Sequence, residues 1–238
     1  MAFLPLADGA PNRQAASMPT KVAVLVFDDL ALQDVAGPYE VMRNVPGWEV
    51  ELVARERGEK RAEGGFGLFA DRAIEEVGAA DVLVVPGGAG NRPLLGDEAV
   101  LRWLREIDQT TRWTTSVCTG SLLLGAAGLL DGRRATGNWL YLEPLRGYGA
   151  EPVGGRWVQD GKVLTAAGVT AGIDMALHLV ATDVGPEVAQ AIQLGIEYDP
   201  DPPFDSGSPE KAAPEIVELV RSLAGAGAIK PSAPAGAQ

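Results

Sequence analysis

The sequence predicts an α/β three-layer sandwich, in which a mostly parallel central sheet carries helices on both faces. Two observations predict this fold class. Short valine-rich runs with few polar interruptions are typical of strands that are covered on both faces of a parallel sheet. These runs alternate along the chain with stretches of helical periodicity, which is the pattern of βα units.

Four stretches are interpreted as strands of that sheet. The first, "KVAVLVF" at 21–27, is a nearly continuous apolar run. "DVLVVPGG" at 81–88 and "WTTSVC" at 113–118 have the same character, and each is followed by turn residues and then by a helical pattern. "WEVELVA" at 48–54 alternates apolar and polar residues, so we expect it nearer to an edge of the sheet.

Amphipathic stretches between and after these strands predict the helical layers. They cover residues 35–45, 97–109, 119–130, 170–183 and 186–195. One last helical pattern, "EIVELVRSL", covers residues 215–223. Before it, the proline-rich stretch 198–214 predicts irregular structure.

Two hairpin-like segments interrupt the alternation. "FGLFAD" at 66–71 follows a charged loop, and "RWVQDGKVLTA" at 156–166 carries an Asp-Gly turn between two strand-like halves. No Pro/Ser/Gly-rich linker divides the chain, so we expect both to be additions to one sheet and predict a single α/β domain over 20–224. Residues 1–19 lack periodicity and residues 225–238 are mostly small, so both segments are expected to be disordered.

Composition excludes several classes of protein. Thirty-two acidic against 20 basic residues give a net charge of −12, the wrong sign for a surface that follows phosphates, so neither nucleic acid nor an anionic membrane is expected as a partner. No stretch reaches the ~18 apolar residues of a membrane span, and the start lacks the basic region of a signal peptide, so we expect a cytoplasmic protein. One cysteine forms no internal disulfide, and no clustered His/Cys spacing predicts a metal site.

The only cysteine, Cys118, stands where the strand at 113–118 gives way to a helical pattern. Ser116 and Gly120 place small residues two positions to either side, which is the spacing of a nucleophile elbow. The helix start is expected to favour the thiolate, to lower the pKa of the thiol, and to donate to charge that develops on a substrate. Cys118 is therefore the candidate nucleophile, and the alternative is a small buried apolar residue.

A nucleophilic thiol needs a proton partner, and the only histidine does not supply it. His178 lies about two turns into its predicted helix, away from the strand ends, and is interpreted as a packing or interface residue. Asp28 and Asp29 directly follow the first strand and are interpreted as turn-capping residues. Asp34 has apolar neighbours that would keep it protonated near neutral pH, ready to donate; its alternative role is a helix N-cap.

Paired glycines close the strand at 81–88. Gly87 and Gly88 allow a backbone N–H to approach a ligand closely, as a donor to an anion or oxyanion would. The segment is not a phosphate-binding loop, because it lacks the lysine and the spacing of that motif. Tight strand-to-helix turns also use glycines, which is the structural alternative.

Four segments together resemble the PfpI/ThiJ superfamily, whose fold is flavodoxin-like and related to the class I glutamine amidotransferases. They are "LQDVAGPYEV", "DVLVVPGGAG", "SVCTGSLLLGAAGLLDGRRAT" and "AGVTAGIDMALHLV". The superfamily includes proteases, glyoxalase- and deglycase-like enzymes, chaperones and domains of AraC-type transcription regulators. The C-terminal stretch at 193–217, "QLGIEYDPDPPFDSGSPEKAAPEIV", is similar to that of isonitrile (isocyanide) hydratases.

This resemblance implies that Cys118 is the nucleophile, Asp34 its acidic partner and Thr119 a neighbouring polar group in the pocket. It implies a homodimer that hydrates an isocyanide without a metal or an organic cofactor. In that reaction the thiolate attacks the terminal carbon and forms a thioimidate, with Asp34 as the general acid. Asp34 then activates a water, and release of the thiol leaves an N-substituted formamide.

One segment departs from the pattern of the relatives. Asn138 stands where they usually carry a histidine, and Gly137 where a threonine is common. Asparagine forms hydrogen bonds but cannot shuttle a proton at neutral pH, so activities of the Cys/His type lose support. Two alternatives stay open: another thiol activity of this fold, glyoxalase- or deglycase-like, and a non-catalytic binding or redox-sensing protein in which Cys118 is oxidised.

Overall fold

The computed structural model describes residues 18–224. In chain order its strands are β1 (Thr20–Leu25), β2 (Trp48–Ala54), β3 (Gly58–Arg61), β4 (Gly67–Ala70), β5 (Arg72–Ala73), β6 (Val82–Val85), β7 (Trp113–Val117), β8 (Arg134–Ala135), β9 (Glu151–Pro152), β10 (Trp157–Asp160) and β11 (Val163–Ala166). Its helices are α1 (Leu32–Met42), α2 (Asn91–Leu94), α3 (Glu98–Asp108), α4 (Gly120–Ala126), α5 (Ala171–Asp183), α6 (Pro186–Gly195) and α7 (Pro214–Leu223). Short 3₁₀ turns cover Glu63–Gly65, Ile74–Glu76, Trp139–Tyr141 and Glu143–Tyr148.

A seven-stranded sheet in the order β10-β11-β7-β6-β1-β2-β5 forms the centre of the structure. Every neighbouring pair is parallel except β10 with β11, so the predicted mostly parallel sheet is confirmed. The strands β6 and β7 are buried along their whole length, as their uninterrupted apolar and β-branched runs predict. The more alternating β2 lies next to the edge strand, which also agrees with its sequence pattern.

Two groups of helices pack around the sheet and complete the predicted α/β sandwich. Helix α1 packs against α5, which in turn packs against α6, while α4 packs against α2 and α3. The helix predicted at 119–130 ends earlier, at Ala126, and Gly128 follows with a left-handed φ of +79°. Helix α7 and the irregular segment before it are confirmed.

The two predicted hairpins behave differently. The segment 156–166 joins the main sheet as β10 and β11, as expected. The segment 66–71 does not: β4 pairs with β3 in a separate two-stranded antiparallel sheet, so the expectation that it extends the main sheet is wrong. The charged strand β3 alternates between exposed and half-buried residues, and such a strand cannot be covered on both faces.

The predicted disordered segments at 1–19 and 225–238 lie outside the described residues, apart from residues 18 and 19. Among residues 18–224, no helix is both long and apolar enough to span a membrane.

The loops after the parallel strands β1, β6, β7 and β11 leave the sheet at one edge, where ligands bind in open α/β sheets.

Candidate active site

The turn between β7 and α4 has the strained geometry of a nucleophile elbow. Cys118 adopts a φ of +59°, a left-handed conformation that costs a non-glycine residue about 1–3 kcal/mol. Its N–H is shared between the carbonyls of Ala166 and Ala167, at 3.1 and 3.0 Å. Gly120 must be small, because a Cβ there would lie 2.1 Å from the carbonyl oxygen of Val85. The sharp turn that the small-residue spacing predicts is therefore present.

Three N–H donors surround the sulfur of Cys118. The side-chain amide of Asn138 lies 3.5 Å from Sγ, and its Oδ1 accepts from the N–H of Leu140, which fixes the amide orientation. The backbone N–H groups of Thr119 and Val169 also donate toward the sulfur. All three donors stabilise negative charge on Sγ, so they favour the thiolate over the thiol.

The pKa of the Cys118 thiol is nevertheless raised, to about 12. Burial is the largest cause, since only 6% of the residue is exposed, and the charge of Asp34 is the second. The expectation of a lowered pKa is therefore wrong: loss of hydration outweighs the three donors and the start of a helix only seven residues long. At neutral pH the cysteine is therefore a neutral thiol, and it would need a base in order to act as a nucleophile.

Asp34 provides a carboxyl group directly beside this thiol. It is fully buried in the first turn of α1, and Ala31 occupies the N-cap position, so the N-cap alternative for Asp34 is wrong. Its Oδ2 accepts from the N–H of Gly87 at 2.9 Å. Its Oδ1 is buried and has no hydrogen-bond partner of standard geometry within residues 18–224.

The pKa of Asp34 is raised to about 7, as its apolar neighbours predict. Burial is the dominant cause; the N–H of Gly87 and the thiol of Cys118 lower the pKa, and the charge of Glu63 raises it slightly. A carboxyl group with this pKa can both accept and return a proton near neutral pH. The Cys118 and Asp34 side chains thus form a buried acid–base pair.

The paired glycines hold Asp34 and Thr119 in place. The Gly87 N–H donates to Asp34, and the Gly88 N–H donates to Thr119 Oγ1 at 3.1 Å. We expected these N–H groups to face a ligand, but both are engaged by protein side chains. Close packing explains the need for glycine, because a Cβ at Gly87 would lie 2.5 Å from the backbone nitrogen of Thr119.

Sequence reasoning missed several residues around the sulfur. Asn91 is buried, and its side-chain amide donates to both the hydroxyl and the carbonyl of Thr119 at 2.9 Å. The Val169 N–H comes from the loop after β11, and any residue type except proline could provide it, so no sequence signal exists. Tyr141 is buried close to Cys118; an aromatic pattern alone does not distinguish it from a core residue.

His178 packs against a neighbouring side chain, as the sequence indicates, whereas the carboxyl group of Asp28 binds the backbone of β3 and not that of its own turn. The ring of His178 stacks on Trp157 with centroids 3.9 Å apart, and its Nε2 lies 3.0 Å from Gln159 Oε1. Asp28 Oδ1 accepts from the backbone N–H of Arg61 at 2.8 Å, and Asp29 adopts a turn conformation with a φ of +57°. Within residues 18–224, no group of three or more His, Cys, Asp or Glu side chains is arranged to hold a metal ion.

Comparison with known proteins gives the family of this chain. The model of the DJ-1/PfpI family matches residues 20–182. The chain belongs to the DJ-1/PfpI family. Among solved DJ-1/PfpI structures, a ThiJ/PfpI family protein from Pseudomonas syringae superposes with a TM-score of 0.86 at 31% identity, covering 92% of this chain and 94% of that one. The resemblance and the fold class drawn from sequence are both confirmed.

Curated DJ-1/PfpI relatives include an enzyme and a regulator. An isonitrile hydratase from Pseudomonas putida is 44% identical over 207 residues, which are 87% of this chain and 91% of that protein. The HTH-type transcriptional regulator CdhR from Pseudomonas aeruginosa is 36% identical over 145 residues, which are 60% of this chain and 42% of that protein. The hydratase therefore matches this chain over nearly its whole length, whereas the regulator matches only in part.

Proposed function

We propose that the protein is an isonitrile hydratase, which adds water to an isocyanide R–N≡C and releases an N-substituted formamide. The observation that carries the proposal is the buried Cys118–Asp34 pair at the carboxyl edge of the sheet, in a chain that matches an isonitrile hydratase over nearly its whole length. A soft sulfur nucleophile suits the terminal carbon of an isocyanide. A carboxyl group with a pKa of about 7 suits the proton transfers.

In the first step Asp34 acts as a base and then as an acid. Its carboxylate takes the thiol proton as the Cys118 sulfur bonds to the terminal carbon, and it returns that proton to the same carbon. The carbon–nitrogen triple bond becomes a double bond, and the product is the thioimidate R–N=CH–S. The donors around Sγ, including Asn138, stabilise the charge on sulfur during this transfer.

In the second step Asp34 activates water. The carboxylate takes one proton from the water as its oxygen bonds to the thioimidate carbon, and it passes that proton to the substrate nitrogen. The carbon–sulfur bond then breaks as the hydroxyl proton returns through Asp34 to the sulfur of Cys118. The sum is one isocyanide plus one water giving one formamide, with no change of oxidation state and no co-reactant.

An isocyanide assay tests the proposal directly. The protein is incubated with cyclohexyl isocyanide in heavy-oxygen water, and the product is identified by mass. We expect N-cyclohexylformamide that carries the heavy oxygen, formed faster than in a protein-free control. The absence of formamide, together with conversion of methylglyoxal to lactate, would instead support a glyoxalase-like enzyme.

The reaction is expected to accelerate as the pH rises to neutrality. The reaction requires the form of the Cys118–Asp34 pair that holds one proton in total. Below the Asp34 pKa of about 7 the pair holds two protons, one on the thiol and one on the carboxyl group. The ratio kcat/KM is therefore expected to rise about tenfold per pH unit below that value and to level off above it. An initial-rate series over this range measures the inflection; a rate that falls through neutrality would contradict the pair as described.

The two alternative functions have less support in the site. A redox sensor needs an exposed thiol with a low pKa, whereas Cys118 is buried and the pKa of its thiol is about 12. A Cys/His enzyme needs an imidazole beside the sulfur, whereas Asn138 occupies that place and His178 packs against Trp157. The hydratase mechanism uses neither feature.

We also propose that residues 20–224 form one catalytic domain, that the protein is a homodimer and that it is cytoplasmic. Helix α7 carries three apolar side chains that are between 43% and 54% exposed: Ile216, Leu219 and Leu223. A second copy of the chain would cover such a row of apolar groups. A reducing compartment suits an enzyme that depends on a single reduced thiol.

A further inference from the structure

Tyr141 belongs to the turn that follows Asn138, the residue whose amide contacts the sulfur of Cys118. The 3₁₀ turn Trp139–Tyr141 begins after Asn138, whose amide nitrogen lies 3.5 Å from Sγ of Cys118. The backbone N–H of Tyr141 donates to the carbonyl of Asn138 at 2.8 Å. The same turn therefore fixes the position of both residues relative to the sulfur.

The hydroxyl group of Tyr141 is buried without a partner. Only 4% of the residue is exposed, and Oη has no hydrogen-bond partner among residues 18–224. A buried tyrosine usually satisfies its hydroxyl, since burial without a hydrogen bond lowers stability. A phenylalanine at this position would avoid that cost, yet the chain has a tyrosine whose hydroxyl bonds to nothing within residues 18–224.

The Tyr141 hydroxyl shares charged neighbours with the Cys118–Asp34 pair. Burial raises its pKa most, a Cys118 thiolate and Glu63 raise it further, and Arg92 lowers it. Glu63 also acts on Asp34, so the tyrosine and the acid–base pair share one environment. A hydroxyl with a raised pKa stays protonated at neutral pH and is available as a hydrogen-bond donor.

We propose that the Tyr141 hydroxyl is a catalytic residue that donates a hydrogen bond to the substrate nitrogen while water attacks the thioimidate. The inference rests on the proposed hydratase function and adds a residue to it. Negative charge develops on the nitrogen at this stage, before Asp34 delivers the proton. Asn138 and the backbone N–H groups of Thr119 and Val169 already donate to the sulfur. The donor stabilises this charge without transferring its own proton.

The test compares Tyr141→Phe with Tyr148→Phe. Tyr148 lies in the next 3₁₀ turn, only burial shifts its pKa, and its ring faces Gly125 instead of the sulfur. For Tyr141→Phe we expect formamide release to fall about 100-fold, with a melting temperature no lower than that of the wild type. Because water attack becomes slow, quenched samples are expected to show protein heavier by one isocyanide, with the added mass on the Cys118 peptide. Tyr148→Phe is expected to keep wild-type turnover and to accumulate no adduct.

The outcomes separate this inference from the function on which it rests. A wild-type protein that releases no formamide overturns both. An active wild type whose Tyr141→Phe variant keeps full turnover overturns the role of the hydroxyl alone. Lost turnover in Tyr141→Phe with a lowered melting temperature, or without an accumulated adduct, assigns the hydroxyl to packing and also overturns the proposal.

Discussion

Replacing Cys118 by alanine is expected to abolish formamide formation from an isocyanide. The chain has one cysteine, so no second thiol can form the thioimidate. Loss of a nucleophile that acts together with its base costs at least about 10⁴-fold in turnover. The loss is measured as formamide released per protein at saturating isocyanide, with product detection by mass.

The variant is expected to fold, so its inactivity is informative. Alanine and cysteine have the same backbone preferences at a φ of +59°, so the strain at the elbow does not change. Ser116→Ala is a matched control, because Ser116 is also fully buried in β7 and its hydroxyl has no hydrogen-bond partner within residues 18–224. That control is expected to retain turnover. Full activity in Cys118→Ala would overturn the assignment of the nucleophile.

The sequence determines the position of the sulfur but not its environment. Apolar runs along β6 and β7 predict the parallel sheet, and small residues around Cys118 predict a sharp turn at its carboxyl edge. Two of its three donors come from the turn that carries Asn138 and the loop that carries Val169. These segments are distant in sequence from the elbow. The local pattern at the cysteine therefore predicts the N–H donors of a helix start, but not the burial that raises the pKa of the thiol.

The same limit applies to the paired glycines. Their pattern predicts close backbone approach, and the structure shows such approach at Gly87, where the approaching groups are Asp34 and Thr119. Asp34 itself is predictable, because its apolar neighbours along α1 are local in sequence and already indicate a costly ionisation. Tyr141 is not, since its significance comes from an unpartnered hydroxyl that only the packed structure identifies.

The raised pKa values of the two groups in the site constrain how they work. A thiol with a pKa of about 12 does not ionise by itself at neutral pH, and the carboxyl group beside it has a pKa of about 7. Proton transfer from Cys118 to Asp34 leaves the total number of protons unchanged and moves the negative charge from oxygen to sulfur. In the proposed mechanism the donors around Sγ then favour the charge on sulfur during attack, so the pair would be activated by substrate and not at rest.

Asp34→Asn is expected to lower turnover about 10³-fold, because an amide neither accepts the thiol proton nor returns it.

The substitution is also expected to have a pH-dependent effect on the free energy of unfolding. The folded pKa of about 7 lies above the ordinary value of 3.8, so the folded state holds the proton more tightly than the unfolded chain does. The stability associated with this proton is present below the unfolded pKa and is lost as the pH rises through the folded pKa. Between those values the wild type is expected to lose about 4 kcal/mol relative to Asp34→Asn.

Urea unfolding of both proteins at about pH 4 and about pH 8 measures this difference. Asp28→Asn serves as the control, because Asp28 is an exposed turn residue whose Oδ1 accepts from the Arg61 N–H outside the acid–base pair. It is expected to keep both the activity and the pH dependence of the wild type. If the stability of Asp34→Asn followed that of the wild type at every pH, the pKa of the folded carboxyl group would equal its ordinary value. Asp34 would then be a weaker base toward the Cys118 thiol than the proposed chemistry requires.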